Sequence, residues 1–317
     1  MPDQHALLSA SSSSRWLHCP PSARWCAGLA DKPSSFAEEG TKAHSLAESR
    51  LRYYLTYGRL VQEKPSYVDT EMWEATERYV DIVIEKTVAA RKETPDAEVL
   101  IEHRLDFSHW VPGGFGTGDA VIVSDKGIEI VDLKYGKGVP VSAQNNSQMR
   151  LYALGAYADL SLLYAIDLVT MTIVQPRLDS VSSETVTAKN LLAWGDTIAP
   201  IAKMAYEGKG KAEAGPHCRF CLMRPKCRIL KDYLTKDLKV PENPEALTGE
   251  EIAQVVLKTK DQRHQGLADF RRNLCPGGSS QRRGMARTES GGRQGFPEDR
   301  RQRSSFRSSS GRRLQAG

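Results

Sequence analysis

Near residue 95 the hydrophobic period of the chain switches from helical to strand-like, which leaves few architectures open. Before the switch, Ala43, Leu46, Ala47, Leu51 and Leu55 recur at helical spacing, and Ser35 with Glu38 has the form of a capping box. These features predict a helix over 38–60, and a second over 70–92. After the switch, residues 98–107, 116–123 and 127–134 are short, rich in β-branched residues and separated by turn residues, with Ser124-Asp125-Lys126-Gly127 reading as a hairpin turn. A helix over 143–163, strands over 167–175 and 181–187 and a helix over 189–206 follow. Helix, helix, three strands, helix, two strands, helix is the order of an α/β protein with a mixed sheet flanked by helices. Residues 1–35 are expected to be extended and Ser-rich, and 208–216 to be a flexible link.

Net charge says little until it is located. The total is +5, but residues 276–317 hold ten Arg, no Lys and three acids (Glu289, Glu298 and Asp299), a balance of +7 that leaves −2 for the 275 residues before them. The body of the chain is therefore not globally basic, and a nucleic-acid surface on it would have to be a local patch. The expected layout is a core over 1–235, a helical extension over 236–274 that includes a helix over 248–272, and a disordered Arg/Gly/Ser-rich tail over 275–317. Three readings of the tail stay open: an arm that binds DNA phosphates, a flexible tail without a role, and the product of a slipped reading frame. No run of 18 apolar residues is present, so no membrane span or membrane partner is expected. The polar start, without an apolar signal region, points to the cytoplasm.

Two groups of residues carry chemistry. Asp119 ends one strand pattern and Asp132-Leu133-Lys134 ends the next. Residues two apart share a strand face, so Asp132 and Lys134 project together while Leu133 turns into the core. If the strands pair through the 124–127 turn, Asp119 lies near Asp132. Two adjacent carboxylates repel unless a cation sits between them, and a hard ion such as Mg²⁺ or Mn²⁺ suits oxygen ligands. Such an ion can activate water and stabilise charge on a phosphoryl oxygen, with Lys134 placed to orient the water or neutralise developing charge.

The second group is cysteine. Cys218-Arg219-Phe220-Cys221 followed by Cys227 is a metal-type spacing, with Cys19 far upstream, and a cytoplasmic chain is expected to use such residues as thiols or ligands. Four thiolates suit zinc or an iron–sulfur cluster, and the spacing alone leaves both open. Cys26 and Cys275 read as ordinary thiols. Arg219, Arg224, Lys226 and Arg228 surround the motif and are candidates to contact phosphate or to offset thiolate charge.

Taken in order, Asp119, Asp132-Leu133-Lys134 and Gln148-Met149-Arg150-Leu151-Tyr152 resemble the motif series of RecB-like PD-(D/E)XK nucleases, with Gly118-Asp119 standing where that family has Pro-Asp. The resemblance covers roughly residues 10–230. It implies a restriction-endonuclease-like core that hydrolyses DNA, probes of the exonuclease type being the first to try. It makes Asp119, Asp132, Lys134, Gln148 and Tyr152 the catalytic set. His44, in Gly40-Thr41-Lys42-Ala43-His44, matches the family's helix-borne histidine, which joins Asp119 and Asp132 as a ligand of Mg²⁺ or Mn²⁺. Glu102 matches a commonly acidic position and stands second in rank. One cysteine before the core and three after it resemble the 4Fe–4S staple of AddB-type and CRISPR-adaptation nucleases, which implies that Cys19, Cys218, Cys221 and Cys227 hold a cluster, with Zn²⁺ as the alternative. The chain is similar to phage- or prophage-encoded members, which implies genome processing or recombination in a bacterial host, with phage recombination or helicase proteins as partners. No G-x-x-x-x-G-K-[ST] motif is present, so any unwinding would come from another chain. The alternatives are a non-catalytic DNA-binding or assembly protein that keeps the fold, and a zinc-binding interaction module.

Overall fold

The computed structural model describes residues 6–29 and 35–235. The expected helix over 248–272 and the tail over 275–317 lie outside the described residues. Within them, two short helices, α1 (Ser13–His18) and α2 (Ser22–Cys26), precede two long ones, α3 (Ser35–Tyr57) and α4 (Thr70–Glu93). The hairpin strands β1 (Glu98–Asp106), β2 (Phe115–Ser124) and β3 (Gly127–Leu133) come next. They are followed by α5 (Ser147–Leu160), β4 (Leu168–Gln175), β5 (Ser180–Thr187), α6 (Ala188–Glu207) and α7 (Arg228–Thr235).

The five strands form one sheet in the order β1-β2-β3-β4-β5. All neighbours are antiparallel except β3 and β4, which run parallel because α5 carries the chain between them. This is the mixed sheet flanked by helices that the change of period predicts. The 124–127 turn is a two-residue hairpin, with Ser124 paired to Gly127 and Ala120 to Val131.

Strand alternation divides the core into two layers. Val121, Val123, Ile128 and Ile130 face α5 and α6, where they meet Met149, Leu151, Leu154 and Ile198. Ile101, Ala120, Ile122, Val131 and Leu133 face α3 and α4, where they meet Ala47, Leu51, Tyr79, Val80 and Val83. β3 is covered on both faces, and Asp132, on the side of Ile128 and Ile130, is buried with it. β5 alternates intermediate and exposed positions and closes one edge with Ser and Thr.

Two expectations need correction. Residues preceding 30 are not extended: they form a 3-10 turn (Ala10–Ser12), α1 and α2, because Leu8 and Trp16 are fully buried against the α5–α6 layer and need a compact local chain. Trp16 Nε1 donates to the Ser9 carbonyl at 3.1 Å, and the Ser13 and Ser147 hydroxyls meet at 2.7 Å. The helix expected from 143 begins at Ser147, because the Asn146 side chain caps it by accepting the Met149 N–H, and 143–146 form a turn in which Asn145 has φ +54°. Among the described residues no helix is long and apolar enough to cross a membrane.

Candidate functional site

The β2–β3 ladder stops at Ala120 and Val131, and the next pair in that register is Asp119 and Asp132. Here Asp119 takes over the ladder's work with its side chain: Oδ2 accepts the Leu133 N–H at 2.7 Å. Its other oxygen reaches across to α3, where Oδ1 lies 3.1 Å from Nδ1 of His44. An ionised carboxylate only accepts, so Nδ1 carries the hydrogen in this contact. α3 presents His44 to the sheet because Ala47 and Leu51, three and seven residues on, pack on the same sheet layer.

Glu102 completes a cluster with them. Ligand atoms of His44, Glu102 and Asp119 all lie within 4.8 Å of one another. Glu102 belongs to β1, between Ile101 (paired with Ala120) and His103 (paired with Gly118), but does not itself pair with Asp119. Its φ is +50°, a left-handed conformation that costs a non-glycine residue free energy and is sustained only by its surroundings. Burial and then the Asp119 charge push its carboxyl up to about 7. Burial alone would lower His44, but the hydrogen bond and charge of Asp119 outweigh it and the imidazole is raised.

Asp132 and Lys134 lie together beside this cluster. Asp132 is 2% exposed, and Lys134 Nζ sits 2.8 Å from its Oδ2. The contact is close but badly angled, so Oδ2 is buried without a hydrogen bond among the described residues. Burial raises the Asp132 carboxyl, with Lys134 pulling the other way. Lys134 is raised despite its own burial, because Asp132 holds the ammonium charged. On α5, Gln148 Nε2 donates to the Tyr152 hydroxyl at 3.2 Å. Burial and then the Asp132 charge push Tyr152 up to about 12. The Tyr152 ring fits because residue 116 is glycine: a Cβ there would come within 2.6 Å of Cε1.

Asp119, His44 and Glu102 thus form one cluster, Asp132 and Lys134 a pair next to it, and Gln148 and Tyr152 a hydrogen-bonded pair whose charge environment is set by Asp132 and Lys134. One residue of this neighbourhood has no sequence signal. Tyr79, in the apolar stripe of α4, is buried with its hydroxyl donating to the Val131 carbonyl at 3.1 Å, and the Asp119 and Asp132 charges help keep it protonated.

The cysteines meet at the other end of the core. Cys218 and Cys227 pack with Leu230 and Leu234 of α7, and Cys227 Sγ accepts the Leu230 N–H at 3.5 Å. Cys19, buried, ends α1, and the neighbouring rings of His18 and His217 stack at 5.1 Å, which brings the start of the chain against the Cys218 loop. The sulfur that touches the loop motif belongs to Cys26, whose Sγ is 3.7 Å from that of Cys221. The pair shares a proton: the hydrogen bond from Cys221 brings Cys26 down to about 6, and the same contact raises Cys221.

These features define a mixed α/β protein with a clustered histidine and carboxylates able to hold a divalent cation. The chain belongs to the family described as "Protein of unknown function (DUF2800)", whose model matches residues 5–266. A solved structure titled "Crystal structure of SSO0001" is similar at 14% identity over 68% of this chain and 96% of that one, with a TM-score of 0.24, too low to support an argument.

Proposed function

We propose that this chain is a metal-dependent DNA nuclease of the RecB-like PD-(D/E)XK type. The observation that carries this reading is the convergence of His44, Glu102 and Asp119 beside the buried Asp132–Lys134 pair. A divalent cation suits the donor set: oxygen ligands with one imidazole fit Mg²⁺ or, better, Mn²⁺. Three features of the chain fit such an ion as well. Asp132 Oδ2 is buried without a hydrogen bond. Glu102 holds a strained backbone in order to stand beside Asp119. The proton on His44 Nδ1 occupies a place that a cation could take.

When bound, the metal supplies Lewis-acid stabilisation of phosphoryl charge and a more acidic water. The protein supplies the rest. His44, Asp119 and Asp132 hold the ion, with Glu102 beside them. Lys134, kept protonated by Asp132, places its ammonium where negative charge grows on the phosphate. Tyr152, kept protonated by burial and by Asp132, can donate its hydroxyl hydrogen to a phosphate oxygen, with Gln148 fixing its position.

Four cysteines, Cys218, Cys221 and Cys227 with Cys19 upstream, are proposed to hold a 4Fe–4S cluster, with Zn²⁺ as the alternative, tying the two ends of the core together. The substrate class and setting follow from the resemblance alone: DNA, in phage or prophage genome processing or recombination in the cytoplasm of a bacterial host, beside recombination or helicase proteins.

The test is cleavage of end-labelled single- and double-stranded DNA with Mn²⁺ or Mg²⁺. Wild type should cut only with metal, and Asp132→Ala and Lys134→Ala should not cut. Tight DNA binding without cleavage under any metal would replace this reading with a binding or assembly role.

A further inference from the structure

We propose that Cys26 is a ligand of the cysteine metal centre, joining Cys218, Cys221 and Cys227 from the last residue of α2. The proposal rests on the reading that these cysteines hold a cluster or zinc, and it changes which upstream residue completes the set. By spacing, Cys19 is the upstream partner and Cys26 an ordinary thiol. Geometry reverses the two.

Cys26 Sγ lies 3.7 Å from Cys221 Sγ across 195 residues of sequence. Two thiolates on one tetrahedral zinc stand about 3.8 Å apart, given Zn–S bonds of about 2.3 Å. A pair at this separation can therefore share an ion with little rearrangement. Cys19 has no sulfur contact with the 218–227 loop among the described residues.

The surroundings of Cys26 are those a metal thiolate needs. The backbone N–H groups of Leu222 and Met223, directly after Cys221, aim at its sulfur, and the Arg15 guanidinium acts on both Cys26 and Cys221. Amide hydrogens and a fixed cation offset the charge that thiolate ligands bring to a site. Arg15 is held there by its NH1, which donates to the Ser22 carbonyl at the start of α2 at 2.9 Å. Cys26 is also buried at 8% exposure, so its closeness to Cys221 belongs to the packed core. An ordinary thiol would need neither the amide pair nor the arginine.

The experiment compares the full chain, purified without oxygen, as wild type, Cys26→Ser and Cys19→Ser. It measures iron, acid-labile sulfide, zinc and visible absorbance per chain. Expected is loss of at least half the bound metal in Cys26→Ser, or a shifted visible spectrum from serine ligation, with Cys19→Ser close to wild type. The opposite pattern, with full metal and an unchanged spectrum in Cys26→Ser and loss in Cys19→Ser, overturns the proposal and leaves the cysteine centre standing. Wild type with neither iron nor zinc removes the centre itself, and the proposal with it. Because Cys26→Ser could fail to fold, wild type is also treated with a chelator in steps, denatured at each step in the presence of iodoacetamide, and mapped by mass spectrometry. Cys26 should become alkylated in step with Cys218, Cys221 and Cys227. Alkylation of Cys26 before any metal leaves would overturn the assignment.

Discussion

Asp119 does for Leu133 what a neighbouring strand would otherwise do: its Oδ2 takes the Leu133 N–H at 2.7 Å where the β2–β3 ladder has ended. The same carboxylate faces His44 with its other oxygen. Structure and proposed chemistry are therefore joined in one side chain, and the two can be separated by substitution. Asp119→Asn keeps an acceptor for the Leu133 N–H, so the fold should hold to within about 1 kcal/mol, while Mn²⁺ affinity falls by more than ~100-fold and cleavage is lost. Asp119→Ala should lose the same activity and also about 1–3 kcal/mol of stability, because a buried N–H is left without a partner. Urea denaturation alongside Mn²⁺ titration reads both effects, and equal stability of the two variants would show that the Leu133 bond contributes nothing.

The Asp132–Lys134 pair makes a different prediction, because each member holds the other's charge in a buried place. Lys134→Ala leaves Asp132 as an uncompensated buried carboxylate and should cost about 3–5 kcal/mol at neutral pH, together with a roughly 10²–10³-fold loss of cleavage rate. Asp132→Asn combined with Lys134→Met removes both charges. That double variant should recover most of the stability and none of the activity. Recovery of cleavage in the double variant would show that the pair only supports the fold.

Much of this site can be read from sequence, for a local reason. Strand alternation places Asp132 with Lys134, and a four-residue turn fixes the register that puts Asp119 opposite Asp132; both depend on residues fewer than twenty apart. The six sheet-facing and helix periods that define the fold are equally local. What stays hidden depends on long-range docking. His44 meets Asp119 across 75 residues and Cys26 meets Cys221 across 195. No period encodes the left-handed backbone of Glu102. The first thirty residues look extended because their Ser content masks Leu8 and Trp16, two anchors whose partners are on α5 and α6.

The glycine at 116 is a further case in which a missing side chain makes room for a functional one. Gly116→Ala would bring a Cβ within 2.6 Å of the Tyr152 ring, so the ring must move and its bond to Gln148 must loosen. The expected cost in stability is about 1–3 kcal/mol, as for other overpacked positions. Cleavage should fall at least ~10-fold with Mn²⁺ affinity unchanged, since Tyr152 is not a ligand. Activity equal to wild type would remove Tyr152 from the set that acts on phosphate.

The acid strained into place at Glu102 gives the last prediction, and its sign follows from its raised pKa. Folding lifts this carboxyl from its ordinary 4.5 to about 7, so the metal-free folded state binds a proton more tightly than the unfolded chain does. That contribution favours folding fully below about 4.5 and is lost as pH climbs through about 7. The metal-free protein should therefore lose on the order of 1–3 kcal/mol between pH 5 and 8 from this group, and Glu102→Gln should flatten that loss. Divalent metal reverses the trend. Ligation needs Glu102 ionised and His44 stripped of its proton, so Mn²⁺ binding releases roughly one to two protons and tightens as pH rises. The increase in Tm on adding Mn²⁺ should be small at pH 5 and largest at pH 8, and calorimetry in buffers of different ionisation enthalpy counts the protons. A Tm increase that does not change with pH would mean that neither Glu102 nor His44 gives up a proton to the ion, and that the cation sits elsewhere.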